Sequence, residues 1–246
     1  MIPQEFSRAE LVSLIDQNYD VLEIGPFTNP VCRGNRVRYF DVLSRNGLVE
    51  RAIKVGYPSG SAVDIDYVSP NGDLSVVNDK FDICISSHCI EHQADLIAHL
   101  DQIDRLLKVG GRYFLIIPDK RYCFDHFISE STIADILDAR GRTTHTLRSV
   151  IEHRTLTTHN DPSRHWRSDH GTQAAYFDVN VVKKALVEYA DAKGGYIDVH
   201  AWQFTPASFR NNLNALAGLG LTKLHVETVY HTPFGSFEFC AILKKS

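Results

Sequence analysis

The chain has 246 residues, 43% apolar and 23% charged, the balance of an ordinary globular domain long enough to bury a real core. With 26 basic against 30 acidic residues the net charge is −4, which argues against a nucleic-acid groove built on phosphate neutralisation. No apolar stretch reaches the roughly 18 residues that a membrane span needs, and residues 1–10 lack a signal-peptide pattern, so a cytoplasmic protein without a membrane span is expected.

The first element expected is a short helix over Ser7 to Gln17, with Leu11, Leu14 and Ile15 on one face and Ser7 and Glu10 placed as a capping box. Residues 20–25 form a buried strand running into a turn, 37–41 a second strand and 44–55 a helix, while 26–36 leave room for a turn or two of helix at most. Residues 63–68 and 81–86 have the pattern of third and fourth strands. Leu96, Leu100, Ile103, Leu106 and Leu107 mark a helix whose end is expected at Gly110 and Gly111, where a left-handed cap is cheap. A fifth strand follows over 112–118. Strands alternating with helices imply a parallel sheet covered on both faces. Residues 119–204 break this rhythm. They are polar, rich in His, Arg and Asp, and carry one clear helix at 179–192, which makes them an insertion over one end of the sheet within a single domain, 1–246. A helix at 206–217 and strands at 224–230 and 237–243, joined by the short segment 231–235, close the chain as an antiparallel hairpin. Five scattered cysteines without a C-x-x-C pair are expected to be reduced packing residues.

Open parallel sheets bind ligands beyond the carboxyl ends of their strands, here first at Glu23-Ile-Gly-Pro-Phe27. One glycine falls short of the three in a dinucleotide fingerprint, and Phe27 stands where the second would be. What the segment offers is a tight backbone approach at Gly25, Glu23 beneath it, and Asp41 at the end of the next strand. A carboxylate at that place can accept both hydroxyls of a ribose, or merely start the helix at Ser44.

The runs Val-Leu-Glu-Ile-Gly (21–25), Phe-Asp (40–41), Phe-Asp-Ile-Cys-Ile-Ser-Ser-His (81–88), Ile-Glu-His (90–92) and Leu-Leu-Lys-Val-Gly-Gly-Arg-Tyr-Phe-Leu-Ile-Ile-Pro (106–118) resemble the ordered motifs of class I S-adenosylmethionine-dependent methyltransferases. The resemblance spans roughly 15–118 and, more weakly, 205–246. It implies an α/β fold with a Rossmann-like, seven-stranded, mostly parallel sheet and a final antiparallel hairpin, over which the polar insertion 119–204 is expected to form an acceptor-binding lid. It also implies S-adenosylmethionine as cofactor. By position, the Gly25 turn would approach its amino-acid part, Asp41 would hold the ribose, and Asp73, with Asp66 as competitor, would lie by the adenine. Ser86 and Ser87 would border the pocket. The departure is Pro26-Phe-Thr-Asn29, where the family has more glycine.

Methyl transfer from a sulfonium is an in-line displacement, and a hydroxyl acceptor must also lose a proton. Candidate bases lie after strands four and five: His88, His92, Asp119, Asp125 and His126. His92 is favoured, because an imidazole titrates near neutrality. The segment from His88 to His92 also fits H-x-x-E-H, which on a helix would turn both histidines toward one ion. The resemblance argues against that chemistry, so no metal site is expected and EDTA should leave activity intact. Lys120, Arg121 and Tyr122 are candidate acceptor-binding residues, with pairing to acids of the insertion as the alternative. The insertion adds many histidines and Trp166, with His200 and Trp202 near its end, a lining better suited to a sugar face than to a lipid. The same segments bear a weaker resemblance to bacterial methyltransferases that modify sugars and surface polysaccharides. O-methylation of a sugar, sugar nucleotide or glycan is therefore expected. N-methylation of an amino sugar or protein, and a catalytically silent cofactor-binding scaffold, are the alternatives.

Overall fold

The computed structural model describes residues 5–172 and 178–246. Its strands are β1 (Val21–Ile24), β2 (Val37–Asp41), β3 (Tyr67–Val68), β4 (Phe81–Ser87), β5 (Leu107–Pro118), β6 (Leu224–Val229) and β7 (Glu238–Lys245). They form one seven-stranded sheet in the order β3-β2-β1-β4-β5-β7-β6. The first five are parallel, and β7 runs antiparallel to both β5 and β6. The helices are α1 (Arg8–Ser13), α2 (Arg45–Val55), α3 (Leu96–Leu106), α4 (Ile133–Asp138), α5 (Leu147–Leu156), α6 (Pro162–His165), α7 (Val179–Ala192) and α8 (Pro206–Gly218). Among the described residues no helix is long and apolar enough to cross a membrane.

Alternation of side chains across each strand divides the core into two faces. Leu22, Ile24, Cys84, Tyr113, Leu115 and Ile117 pack against Leu96, Leu100 and Ile103 of α3 and Phe209, Leu213 and Leu216 of α8. Val21, Tyr39, Ile83, Ile85, Phe114 and Ile116 pack on the opposite face against Leu11 of α1. The helices start where short polar side chains can accept orphan amides. Ser7 and Glu10 form the expected capping box, and Ser44 accepts from the Gly47 amide to begin α2.

Three expectations are corrected. The third strand shrinks to Tyr67–Val68, because Val63 and Ile65 pack as partly buried residues on the α1 face instead of pairing. Helix α3 stops at Leu106, since Leu107 is already extended and pairs with Phe81. Gly110, at φ +75°, serves a register shift within β5 and caps no helix. Finally, the described residues of the insertion hold four helices where one was expected. They carry a small core of their own, Val150, Ala185, Ile197 and Val199, and Arg154 bridges α5 to Glu188 of α7 at 2.8 Å.

Candidate active site

The turn after β1 is shaped from both sides. Gly25 adopts φ +70°, its amide donates to the Phe40 carbonyl, and a Cβ there would lie 3.6 Å from Cys89 Sγ. The turn therefore rests on the segment leaving β4. Asp41 fastens it from β2, with Oδ2 accepting from the Phe27 amide at 3.3 Å and Oδ1 from Val42 at 2.7 Å. Burial raises the Asp41 carboxyl above its ordinary range, against the lowering effect of those amides. Each oxygen keeps acceptor capacity for a hydroxyl, so the residue fits the ribose role. Asp73, beyond the third strand, has its carboxylate on the Ser75 amide and hydroxyl and on Gln102 Nε2, while Asp66 accepts from the Tyr39 amide.

Two residues expected to meet the cofactor are turned to structural use. Glu23 is 1% exposed, and its two oxygens accept from the amides of Val31 at 2.6 Å and Cys32 at 2.9 Å. It shapes the loop from beneath, and burial lifts its carboxyl to about 7. The Ser86 hydroxyl is spent inside the core on Tyr113 Oη, which also meets His99 Nε2. Ser87 ends β4 and is partly exposed.

Beyond β5, the basic residues hold the insertion in place. Arg121 forks onto the fully buried Asp119, which also accepts from Thr232 Oγ1 at 2.5 Å. Lys120 Nζ donates to the His126 carbonyl, and Tyr122 stacks on Trp166 at 4.0 Å. Arg121 thus pairs with an acid, as the alternative expected, whereas Lys120 takes a backbone carbonyl instead. These contacts also leave Asp119 as an anchor with its acceptor sites in use. His126 sets Nδ1 against the Arg121 carbonyl and stacks on His170 at 3.7 Å. Trp202 is 4% exposed, donates to the Gln93 carbonyl, and flanks a groove of about 210 Å³ beside Ser131 and Arg142.

The segment after β4 is not an α-helix, which separates the two histidines of H-x-x-E-H. His88 takes φ +49° and only Ile90–His92 make a 3₁₀ turn. His88 Nε2 bonds Glu238 at 2.7 Å. His92 instead meets His200, ring centroids 4.7 Å apart at 87°. His92 Nδ1 faces the Val199 carbonyl at 3.1 Å, and His200 Nδ1 faces Asp125 Oδ2 at 2.5 Å. Burial, and then the charge of His200, holds the His92 imidazole well below its ordinary range, which overturns the near-neutral titration expected of it from the sequence. Burial also works against protonation of His200, but Asp125 outweighs it and raises that group. Between them Glu91 is completely buried, with neither carboxylate oxygen hydrogen-bonded. Its backbone carbonyl accepts from the amides of Ala201 and Trp202, which locks the end of the insertion to the β4 exit. Asp125, a candidate base from the sequence, serves here as the partner of His200, and Glu91 escapes a sequence reading centred on histidine. The signal for Glu91 was its place between His88 and His92.

Residues 38–115 match the family model described as a methyltransferase domain. No curated protein matches the chain. Solved structures similar to it include the 1,6-didemethyltoxoflavin-N1-methyltransferase of Burkholderia thailandensis, at 13% identity and TM-score 0.48, covering 97% of this chain and 76% of that one. A Listeria monocytogenes protein described as a candidate S-adenosylmethionine-dependent methyltransferase shows 14% identity and TM-score 0.48, with 97% of each chain covered. The CcbJ methyltransferase of Streptomyces caelestis shows 14% identity and TM-score 0.45, over 97% of this chain and 94% of that one. The match to a methyltransferase domain thus runs from β2 to the middle of β5, within the seven-stranded sheet.

Proposed function

We propose that the enzyme methylates a hydroxyl of a polar acceptor such as a sugar, sugar nucleotide or glycan. The observation that carries this reading is the meeting of Glu91, His92, His200 and Asp125 at the exit of β4, beside Cys89, the residue that abuts the Gly25 turn. S-adenosylmethionine supplies an electrophilic methyl on a sulfonium. Gly25 and its turn would receive the amino-acid part, Asp41 the ribose hydroxyls, and the neighbourhood of Asp73 the adenine. The acceptor oxygen then lies among groups able to take its proton, as an O-methyl transfer requires and an amine acceptor does not. His92 is the most open of them, its side chain 24% exposed against 7% for His200 and 1% for Glu91, so we assign it to face the acceptor. The polar, histidine-rich insertion, with Tyr122 stacked on Trp166 at its foot, favours a hydrophilic acceptor. Five free cysteines suit a reducing cytoplasmic setting.

His92→Ala should lower turnover on sugar acceptors by about 10²-fold, with S-adenosylhomocysteine affinity by calorimetry little changed. Asp41→Asn should show the reverse pattern, a loss of cofactor affinity of about tenfold or more. Retained turnover in His92→Ala points to an amine acceptor. Cofactor binding without transfer to any sugar, sugar nucleotide or glycan fragment points to a silent module.

A further inference from the structure

We infer that Glu91, His92 and His200 form a binding site for one divalent transition-metal ion, which would draw the acceptor hydroxyl into the pocket and acidify it. This rests on the methyl-transfer reading for its purpose, though its geometry stands alone. One ligand atom from each of the three residues lies within 4.8 Å of the others. Both imidazoles already have their Nδ1 engaged, His92 on the Val199 carbonyl and His200 on Asp125. Such outer partners fix the tautomer and leave Nε2 with a lone pair for an ion. His200 Nε2 lies 4.0 Å from Glu91 Oε1. Cis donors around a bound ion are about 3 Å apart, so binding would draw this pair together by roughly 1 Å. Two imidazoles bound cis through Nε2 would have centroids roughly 4.5–5 Å apart, and the observed separation is 4.7 Å.

The second observation is Glu91 itself. A fully buried carboxylate with neither oxygen hydrogen-bonded is costly as an anion unless a cation balances it. The nearest candidates within the fold are imidazoles, His88 Nδ1 at 3.7 Å and His200 Nε2 at 4.0 Å. Two histidines and one carboxylate on one side of an ion leave positions open for an oxygen ligand, and this donor set suits Mn²⁺, Co²⁺ or Zn²⁺ better than Mg²⁺ or Ca²⁺. In the transfer step the coordinated hydroxyl gives its proton to solvent, and its oxygen forms the new bond to the methyl carbon. The carbon–sulfur bond breaks with its electron pair going to sulfur, and the sulfonium becomes a neutral thioether. His92 is then a ligand, and the metal pairing is with His200 rather than His88.

The test is calorimetric titration of Mn²⁺ and Zn²⁺ into the chelator-stripped 246-residue chain. One ion per chain should bind at this site, and Glu91→Gln and His200→Asn should each weaken it at least tenfold while S-adenosylhomocysteine binding persists as the check on folding. Electron-spin-echo modulation of the wild-type Mn²⁺ complex needs no variant and should show two imidazole nitrogens. Absence of bound ion, or affinity unchanged in both variants, overturns the inference. So do three imidazoles, which would place the ion at the other cluster, His126, His165 and His170. If no ion binds yet His92→Ala still abolishes turnover, the methyl-transfer reading survives with His92 as base. If an ion binds but S-adenosylhomocysteine does not, that reading fails and the metal site remains.

Discussion

Gly25 and Phe27 both lie at positive φ within one turn, yet only the glycine reaches that conformation freely. Space is not the constraint at Gly25, because a Cβ would meet Cys89 only at ordinary contact distance. Gly25→Ala should therefore cost about 1–2 kcal/mol through the backbone alone, and should weaken S-adenosylhomocysteine binding by displacing the turn. Urea unfolding and calorimetry check the two effects separately. Loss of affinity with stability unchanged would show that the methyl group blocks the cofactor directly.

At the scale of elements, three parts of the chain are tied through one carboxylate. Glu238 on β7 accepts a forked pair from Arg8 of α1 and meets His88 at the exit of β4. Burial would raise its carboxyl, but His88 and Arg8 outweigh that and bring it to about 2. The folded value lies below that of an unfolded glutamate, about 4.3. The ionised group thus contributes stability that is fully present above about pH 5 and is lost as pH falls toward 2. The contribution is on the order of 2–3 kcal/mol. Unfolding free energies of the wild type and of Glu238→Gln should converge as pH falls from about 5 toward 2, and a gap independent of pH would break the link.

Across the whole molecule, burial is uneven. The sheet has two extended cores, whereas α5 and α7 contribute only Val150 and Ala185 to a cluster of four buried apolar residues completed by Ile197 and Val199, with the Arg154–Glu188 pair and a few partly buried neighbours. Segments with so little buried contact open at lower free energy than a central sheet. Amides of α5 and α7 should exchange hydrogen well before those of β1, β4 and β5, and Val150→Ala should accelerate the former without changing the latter. Uniform exchange would mean that insertion and sheet unfold as one unit.

What the sequence determined by itself is whatever depends on neighbours in the chain. Period-two and helical spacing located β1, β2, β4 and the apolar faces of α3 and α8, the Ser7–Glu10 box started α1, and the motif order placed Gly25 and Asp41 at adjoining strand ends. Local pattern misjudged the third strand and the end of α3, because pairing with Phe81 extends Leu107 before the glycines are reached. Tertiary structure alone decided the partners of the site. His200 meets Asp125 across 75 residues and His92 meets the Val199 carbonyl across 107, contacts that no short-range spacing encodes. It also assigned Glu23, Ser86 and Asp119 to buried hydrogen bonds, since a buried polar group must find a partner and in these three the partner is protein. Among the described residues, buried Glu91 has no hydrogen-bond partner on either carboxylate oxygen.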